Sequence, residues 1–278
     1  MKLIETYPVG IGTFCIGGGY YLDIKKDFAD YDNDERYIEA LRYSLKIGQN
    51  HIDTAYTYGD GHTEAVISKA IKGIDRDKIY IADKLPKSHM RKSAVIPAIK
   101  EMLRRLDTEY LDLVYVHDVN VPEPMEGYLD ALSDAVSLGL IREIGISNAN
   151  LEQTKMAVKL SKHPIVANQI RMNPLDREKS PEELVEYCKN NNIKVVAYVP
   201  LNNPTFFKGL NESRLENIAK KYNKSVQSIS LNWLINHKKV LAIPKATTHE
   251  HIEDNYHSIG YIIEEEDLKA IDNLYIPK

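Results

Sequence analysis

The chain has 278 residues, 43% of them hydrophobic and 27% charged, with 36 Lys and Arg against 40 Asp and Glu and a formal net charge of -4. These proportions exclude a disordered chain and offer no basic surface for nucleic acid or anionic membrane. Only Cys15 and Cys188 occur, and with no other sign of an oxidising compartment both read as reduced thiols. The N-terminus lacks a long apolar stretch and no run of ~18 apolar residues follows, so a soluble, cytoplasmic chain is expected, with residues 1–278 as one domain.

Short β-branched apolar runs alternate with amphipathic segments along the whole length. The runs predict strands at residues 9–15, 51–55, 79–85, 111–117, 141–147, 165–171, 194–200 and 240–244. Apolar spacings of three and four predict helices at 34–47, 63–71, 93–106, 125–138, 151–160 and 181–190. A longer seventh connection holds 213–222 and 226–237, and helices at 250–257 and 265–274 close the chain, the last behind the acidic run 264–267 that suits a helix N-terminus. Ser180-Pro181-Glu182-Glu183 reads as a capping box with Pro181 just inside the helix. Eight βα beats predict an α/β fold, a single (β/α)8 TIM barrel. The competing doubly wound nucleotide fold would need G-x-G-x-x-G after the first strand; Gly10-Ile11-Gly12-Thr13-Phe14-Cys15 has Cys15 where the third glycine belongs, and the run Gly17-Gly18-Gly19 does not repair the spacing.

In such a barrel the chemistry collects at the C-terminal ends of the strands. The second strand carries Asp53 and runs on to Tyr58, the third ends at Lys84 and the fourth at His117, so four polar side chains ring one opening. Each alone has an ordinary reading: a packed tyrosine, a capping aspartate, a solvated lysine, a core histidine. Together each supplies what another needs. A free tyrosine, pKa ~10, is a weak acid at neutral pH, and a nearby ammonium makes it a stronger one. A buried ammonium in turn keeps its proton when a carboxylate pairs with it. Lys84 and Asp53 are placed for those two parts, and His117 for a hydrogen bond that orients a substrate carbonyl toward Tyr58.

The segments His-Ile-Asp-Thr-Ala-Tyr-Thr-Tyr-Gly (51–59), Asp-Lys-Leu (83–85), Leu-Asp-Leu-Val-Tyr-Val-His (111–117) and Gly-Ile-Ser-Asn (145–148) resemble, in order and across nearly the whole chain, the aldo-keto reductase superfamily. The resemblance implies a catalytic tetrad of Asp53, Tyr58, Lys84 and His117. It also implies a nicotinamide dinucleotide lying across the barrel mouth without the fingerprint that is missing here. The cofactor would meet Gly12, Thr13 and Asp53, Ser147, Asn148 and Gln169 at the nicotinamide carboxamide, Tyr198 stacked on the ring, Leu201, and Lys245, Thr247, His251 and Asn255 toward the adenosine end. Two positions depart from many NADPH-using relatives, which carry Ser at Ala246 and Arg at His251. Histidine is a poorer phosphate clamp than the planar, always-charged guanidinium. NADPH is expected to be preferred, through Lys245, Thr247 and Thr248, with NADH tolerated.

The reaction implied is direct hydride transfer to an aldehyde or ketone carbon, with Tyr58 protonating the oxygen and no metal required. Phe14, Tyr56 and His117, with Phe206 or Phe207, are candidates to line the substrate mouth, and Asp118 stands where some relatives have Trp. No long loop follows the last helix before Lys278, so an open site with broad carbonyl acceptance is expected. Two rival readings are a cofactor-sensing subunit of slow turnover, which steady NADPH consumption would rule out, and a metal-dependent barrel hydrolase, which the lack of a His-x-His pair at any strand end disfavours.

Overall fold

The computed structural model describes residues 1–18, 31–201 and 210–275. Its eight strands are β1 (Ile11–Gly12), β2 (His51–Asp53), β3 (Tyr80–Leu85), β4 (Leu111–Val116), β5 (Ile141–Ser147), β6 (Ile165–Arg171), β7 (Lys194–Tyr198) and β8 (Leu241–Ala242). All pair in parallel in the order β1 to β8. The seam between the last strand and the first is joined by a parallel bridge between Val9 and Ala242 and by Gly10 N–H to Ala242 O (2.8 Å) and Ala242 N–H to Pro8 O (3.0 Å). The fold is a (β/α)8 barrel. The helices are α1 (Asp34–Lys46), α2 (His62–Ile71), α3 (Lys92–Leu106), α4 (Met125–Ser137), α5 (Leu151–Leu160), α6 (Glu182–Asn190), α7 (Leu210–Tyr222), α8 (Val226–Asn232), α9 (His249–His257) and α10 (Glu265–Asp272).

The central strands match their predicted spans, and the differences have local causes. Strand β1 is far shorter than 9–15 because Cys15 sits at φ 60°, where no strand continues, and β8 stops short of Pro244, which has no N–H to give a ladder. Strand β7 ends before Val199, at φ 50°. The predicted helix 226–237 changes at Trp233 into a π-turn, closed by Lys238 N–H to Trp233 O (3.0 Å). The capping box at Ser180 does not form. Its hydroxyl bonds back to Arg177 O (3.3 Å), Pro181 takes the cap position without a side-chain hydrogen bond, and α6 starts at Glu182. The acidic run does begin α10. Phe206, Phe207 and Gly19 lie outside the described residues. Cys188 is a buried free thiol, and Cys15 is partly buried. Among the described residues no helix is long and apolar enough to cross a membrane.

Strand side chains alternate between two cores. Leu3 from the N-terminal turn packs inside the barrel with Tyr80, Ala82, Leu113, Tyr115, Ala167 and Val196, while Ile52, Ile81, Val114 and Ile146 face the surrounding helices. The seam is the tightest place. Gly12 N–H bonds to Pro244 O at 2.9 Å, and a β-carbon at position 12 would collide with the carbonyl oxygen of Ile243. Gly12→Ala should therefore destabilise the fold by about 1–3 kcal/mol, as overpacking of a fitted core does. Urea denaturation measures this, and an unchanged midpoint would show that the seam yields.

Candidate functional site at the barrel mouth

On β3, Ile81 and Leu85 join the helix-side core and Tyr80 and Ala82 the interior, so alternation turns Lys84 inward and Asp83 outward. The same register faces Asp53 inward on β2, Gln169 on β6 and Tyr198 on β7, since Ile52, Ile170 and Ala197 face the helices. Inside the barrel the Lys84 ammonium donates to Asp53 Oδ1 and to Thr54 O (2.7 Å). Both charged residues are 2% exposed. The other Asp53 oxygen accepts from Gln169 Nε2 at 2.7 Å, from the far side of the barrel. Asp53 is further held by its own carbonyl, which accepts from Thr13 N (3.1 Å) and Thr13 Oγ1 (2.9 Å). A buried ion pair is tolerable only when its remaining donors and acceptors are met in this way.

Tyr58 follows β2 in a tight turn. Its N–H bonds to Ala55 O (2.9 Å), and Gly59 next to it has φ 55° with no room for a side chain, since a β-carbon would lie 2.7 Å from Gly17 O. The turn lays the Tyr58 ring, 9% exposed, over Lys84, with Nζ 5.4 Å from the ring centroid. The His117 ring stands edge-on to it at 6.2 Å between centroids, and Phe14, half exposed, closes the other side at 5.4 Å. Burial, with the charges of Lys84 and Lys87, pushes the His117 imidazole down to about 3 against the smaller pull of Asp118, so it is neutral at physiological pH.

Beside this group, Asn148 sits at φ 58° and its side chain accepts from Tyr198 Oη (2.8 Å) while donating to His117 O (3.2 Å). Ser147 Oγ donates to Gln169 O at 2.9 Å. The cap of α5 is Asn150, which accepts from Gln153 N (2.9 Å) in a reciprocal capping box, so neither Ser147 nor Asn148 caps the helix. Asp118 at the rim would be raised by burial, but Lys87 (2.8 Å) and Asn120 hold its carboxyl below the usual range. Tyr56 is half buried, its ring packing partly against the helix-side cluster, under Arg105 (4.4 Å) and tilted against His89 (4.9 Å). Leu201 is half buried against the core around α8. At the other end of the mouth Lys245 and His251 are exposed, Thr247 is half buried and Asn255 on α9 is buried. Thr248 caps α9 by accepting from His251 N at 3.3 Å.

Three features were not anticipated from sequence. The Thr54 carbonyl shares the ammonium, and Arg36 on α1 donates to Thr247 Oγ1 at 3.1 Å. Behind Lys84, Asp83 Oδ1 accepts the Lys84 N–H (2.7 Å), and its carboxyl meets Glu64 of α2, itself bonded to Arg105 Nη1 (2.9 Å). Glu64 and Asp83 are fully buried, with Glu64 Oε1 and Asp83 Oδ2 lacking other partners. Burial pushes Asp83 up to about 6 and Glu64 well above the carboxylate range, and one proton shared between the two oxygens satisfies both. A carboxylate on the helix-facing side of a buried strand was the only sequence signal for this pair.

An acid whose folded pKa is raised gives most stability below its unfolded value of 3.8 and loses it as pH climbs through about 6. Asp83→Asn keeps the shape without that loss. Its stability relative to the unmodified chain should improve by up to about 3 kcal/mol between about pH 4 and pH 7, read from urea midpoints. A difference independent of pH would show that Asp83 ionises normally.

Comparison with known proteins gives this geometry a context. The family model "Aldo/keto reductase family" matches residues 8–276. The methylglyoxal reductase DkgB of Escherichia coli O157:H7 is 30% identical over 243 residues, covering 86% of this chain and 87% of that protein. Among solved structures, a thermostable aldo-keto reductase crystallised with the inhibitor epalrestat superposes with a TM-score of 0.90 at 37% identity, covering 96% of this chain and 95% of that one. An aldo-keto reductase from Klebsiella pneumoniae crystallised with NADPH superposes at 0.86 with 29% identity, covering 98% and 92%. With its barrel, its polar mouth and a family match over nearly its whole length, this chain belongs to the aldo/keto reductase family.

Proposed function

We propose that the chain is an NADPH-dependent reductase of aldehydes and ketones acting as a single domain, with Tyr58 as general acid. The observation that carries this reading is the Lys84 ammonium held between Asp53 and the Tyr58 ring in a mouth whose histidine is neutral. The donor set also fits a nicotinamide dinucleotide. A half-buried aromatic face, Tyr198, is fixed by its hydroxyl; Ser147 bonds to the Gln169 carbonyl, and Gln169 Oε1 is not used by the bond to Asp53; Gly12, Thr13, Leu201 and Asn255 are the further residues assigned to the cofactor, with Lys245 as the cation toward its adenosine end. When bound, the reduced nicotinamide supplies a hydride to the carbonyl carbon.

The protein's own part is orientation and a proton. His117, as a neutral imidazole, donates a hydrogen bond to the substrate oxygen and turns it toward Tyr58. As the carbon–oxygen π bond gives way and negative charge gathers on oxygen, the Tyr58 hydroxyl delivers its proton there, and the product is the alcohol. The phenolate left behind is stabilised by Lys84, whose charge Asp53 maintains, until the proton is replaced. The reverse oxidation uses the same groups.

The substrate is expected to be small and the acceptance broad. Lys87 and Asp118 make a charged rim beside His117, and relatives including DkgB and the Escherichia coli protein YeaE are named methylglyoxal reductases. A panel of short aldehydes led by methylglyoxal, run with NADPH and with NADH, tests the reading. Consumption of NADPH should exceed that of NADH. Tyr58→Phe and Lys84→Met should each lower turnover by roughly 10²–10⁴-fold, the range for a lost general acid, while NADPH still binds. Turnover that survives Lys84→Met would mean that the proton comes from another group.

A further inference from the structure

The position where many relatives carry the phosphate-clamping arginine is His251, exposed on the first turn of α9. A different guanidinium, that of Arg36, reaches the residues just before this helix. On α1, Arg36, Glu39 and Tyr43 are spaced three and four apart and so share one face. All three touch the segment from 247 to 253: Arg36 Nη2 donates to Thr247 Oγ1 (3.1 Å), Glu39 approaches His249 (3.3 Å), and Tyr43 stacks on the His249 ring (3.8 Å, 17°) while its hydroxyl bonds to Glu253. The two lower contacts lock α1 along α9 and leave Arg36 over the start of that helix.

Arg76, Arg91, Arg104, Arg105, Arg142, Arg171 and Arg177 each approach a carboxylate, and Arg42 is spent on the carbonyls of Lys69 and Ala70; Arg36 and Lys245, like Arg214, have no carboxylate partner among the described residues. In a chain of net charge -4, two cations without carboxylate partners flank the half-buried Thr247 hydroxyl at the N-terminus of α9, where helix-end N–H groups also favour an anion. Thr247 occupies one of the five guanidinium donors, and the remaining fork suits a phosphate.

We propose that Arg36 supplies from α1 the guanidinium that position 251 lacks and, with Lys245 and Thr247, forms the seat of the 2′-phosphate that distinguishes NADPH from NADH. The assignment rests on the reading of the chain as a nicotinamide-dependent reductase and names the residue that sets its cofactor preference. The separation of 211 positions between Arg36 and Thr247 hides it from any local motif.

Binding measured without turnover tests it. The purified protein is titrated calorimetrically with NADP+, NAD+ and 2′,5′-ADP. Arg36→Leu should weaken NADP+ and 2′,5′-ADP by roughly tenfold, the low end for a charge-assisted hydrogen bond at an exposed site, and change NAD+ by less than about a third of that factor. Arg36→Lys should recover part of the loss, since it restores a point charge without the fork. Adding His251→Arg to Arg36→Leu should recover most of it. If Arg36→Leu leaves the ratio of NADP+ to NAD+ affinity unchanged, while both still bind and the panel of aldehydes is still reduced, the Arg36 assignment is wrong and the functional reading stands. If the unmodified protein binds none of the three, both are overturned.

Discussion

A lysine and an aspartate placed inside a barrel, each 2% exposed, are the interaction on which the mouth of this protein depends. Charges so buried are costly unless their hydrogen-bonding capacity is met in full. Here the surrounding strands meet most of it: Asp53 and the Thr54 carbonyl take two ammonium protons, Gln169 reaches across from β6 to the second Asp53 oxygen, and Thr13 ties down the Asp53 backbone. The charge of Lys84 then acts in two directions. It stands beneath the Tyr58 ring, and with burial and Lys87 it keeps His117 neutral. One ion pair thus biases an acid and a hydrogen-bond donor toward the roles proposed for them.

Asn148 extends the arrangement outward. Held in the left-handed region, it fixes the Tyr198 hydroxyl with its oxygen and the His117 carbonyl with its nitrogen. The aromatic face proposed for the nicotinamide and the imidazole proposed for the substrate are therefore set by one amide. Behind β3, the carboxyl pair of Asp83 and Glu64 with Arg105 grips the strand from the helix side. While that pair retains its proton, it balances Arg105 and adds no net negative charge behind Lys84.

Much of this was legible in the chain because period-two alternation survives burial. Once 51–53, 80–85 and 165–171 are read as strands, the inward positions of Asp53, Lys84 and Gln169 follow. Alternation ends where the strand does, so the contact of Tyr56 with Arg105, beyond β2, could not be read from it. Likewise Ser180 has the chemistry of a helix cap, but its hydroxyl finds the Arg177 carbonyl first. The bond from Gln169 to Asp53, 116 residues apart, and that from Arg36 to Thr247 depend on how distant elements pack, and no local pattern encodes them. The resemblance supplied expected roles; the partners of each side chain came only from the fold.

The central claim is that Asp53 matters to the proposed chemistry through Lys84. A double-mutant cycle on kcat/KM for reduction of a short aldehyde, using Asp53→Asn, Lys84→Met and the two combined, tests this most directly. If the carboxylate works by keeping the ammonium charged and placed, the double variant should be no slower than Lys84→Met alone. Losses that simply multiply would contradict the account, since Asp53 would then act independently of the lysine.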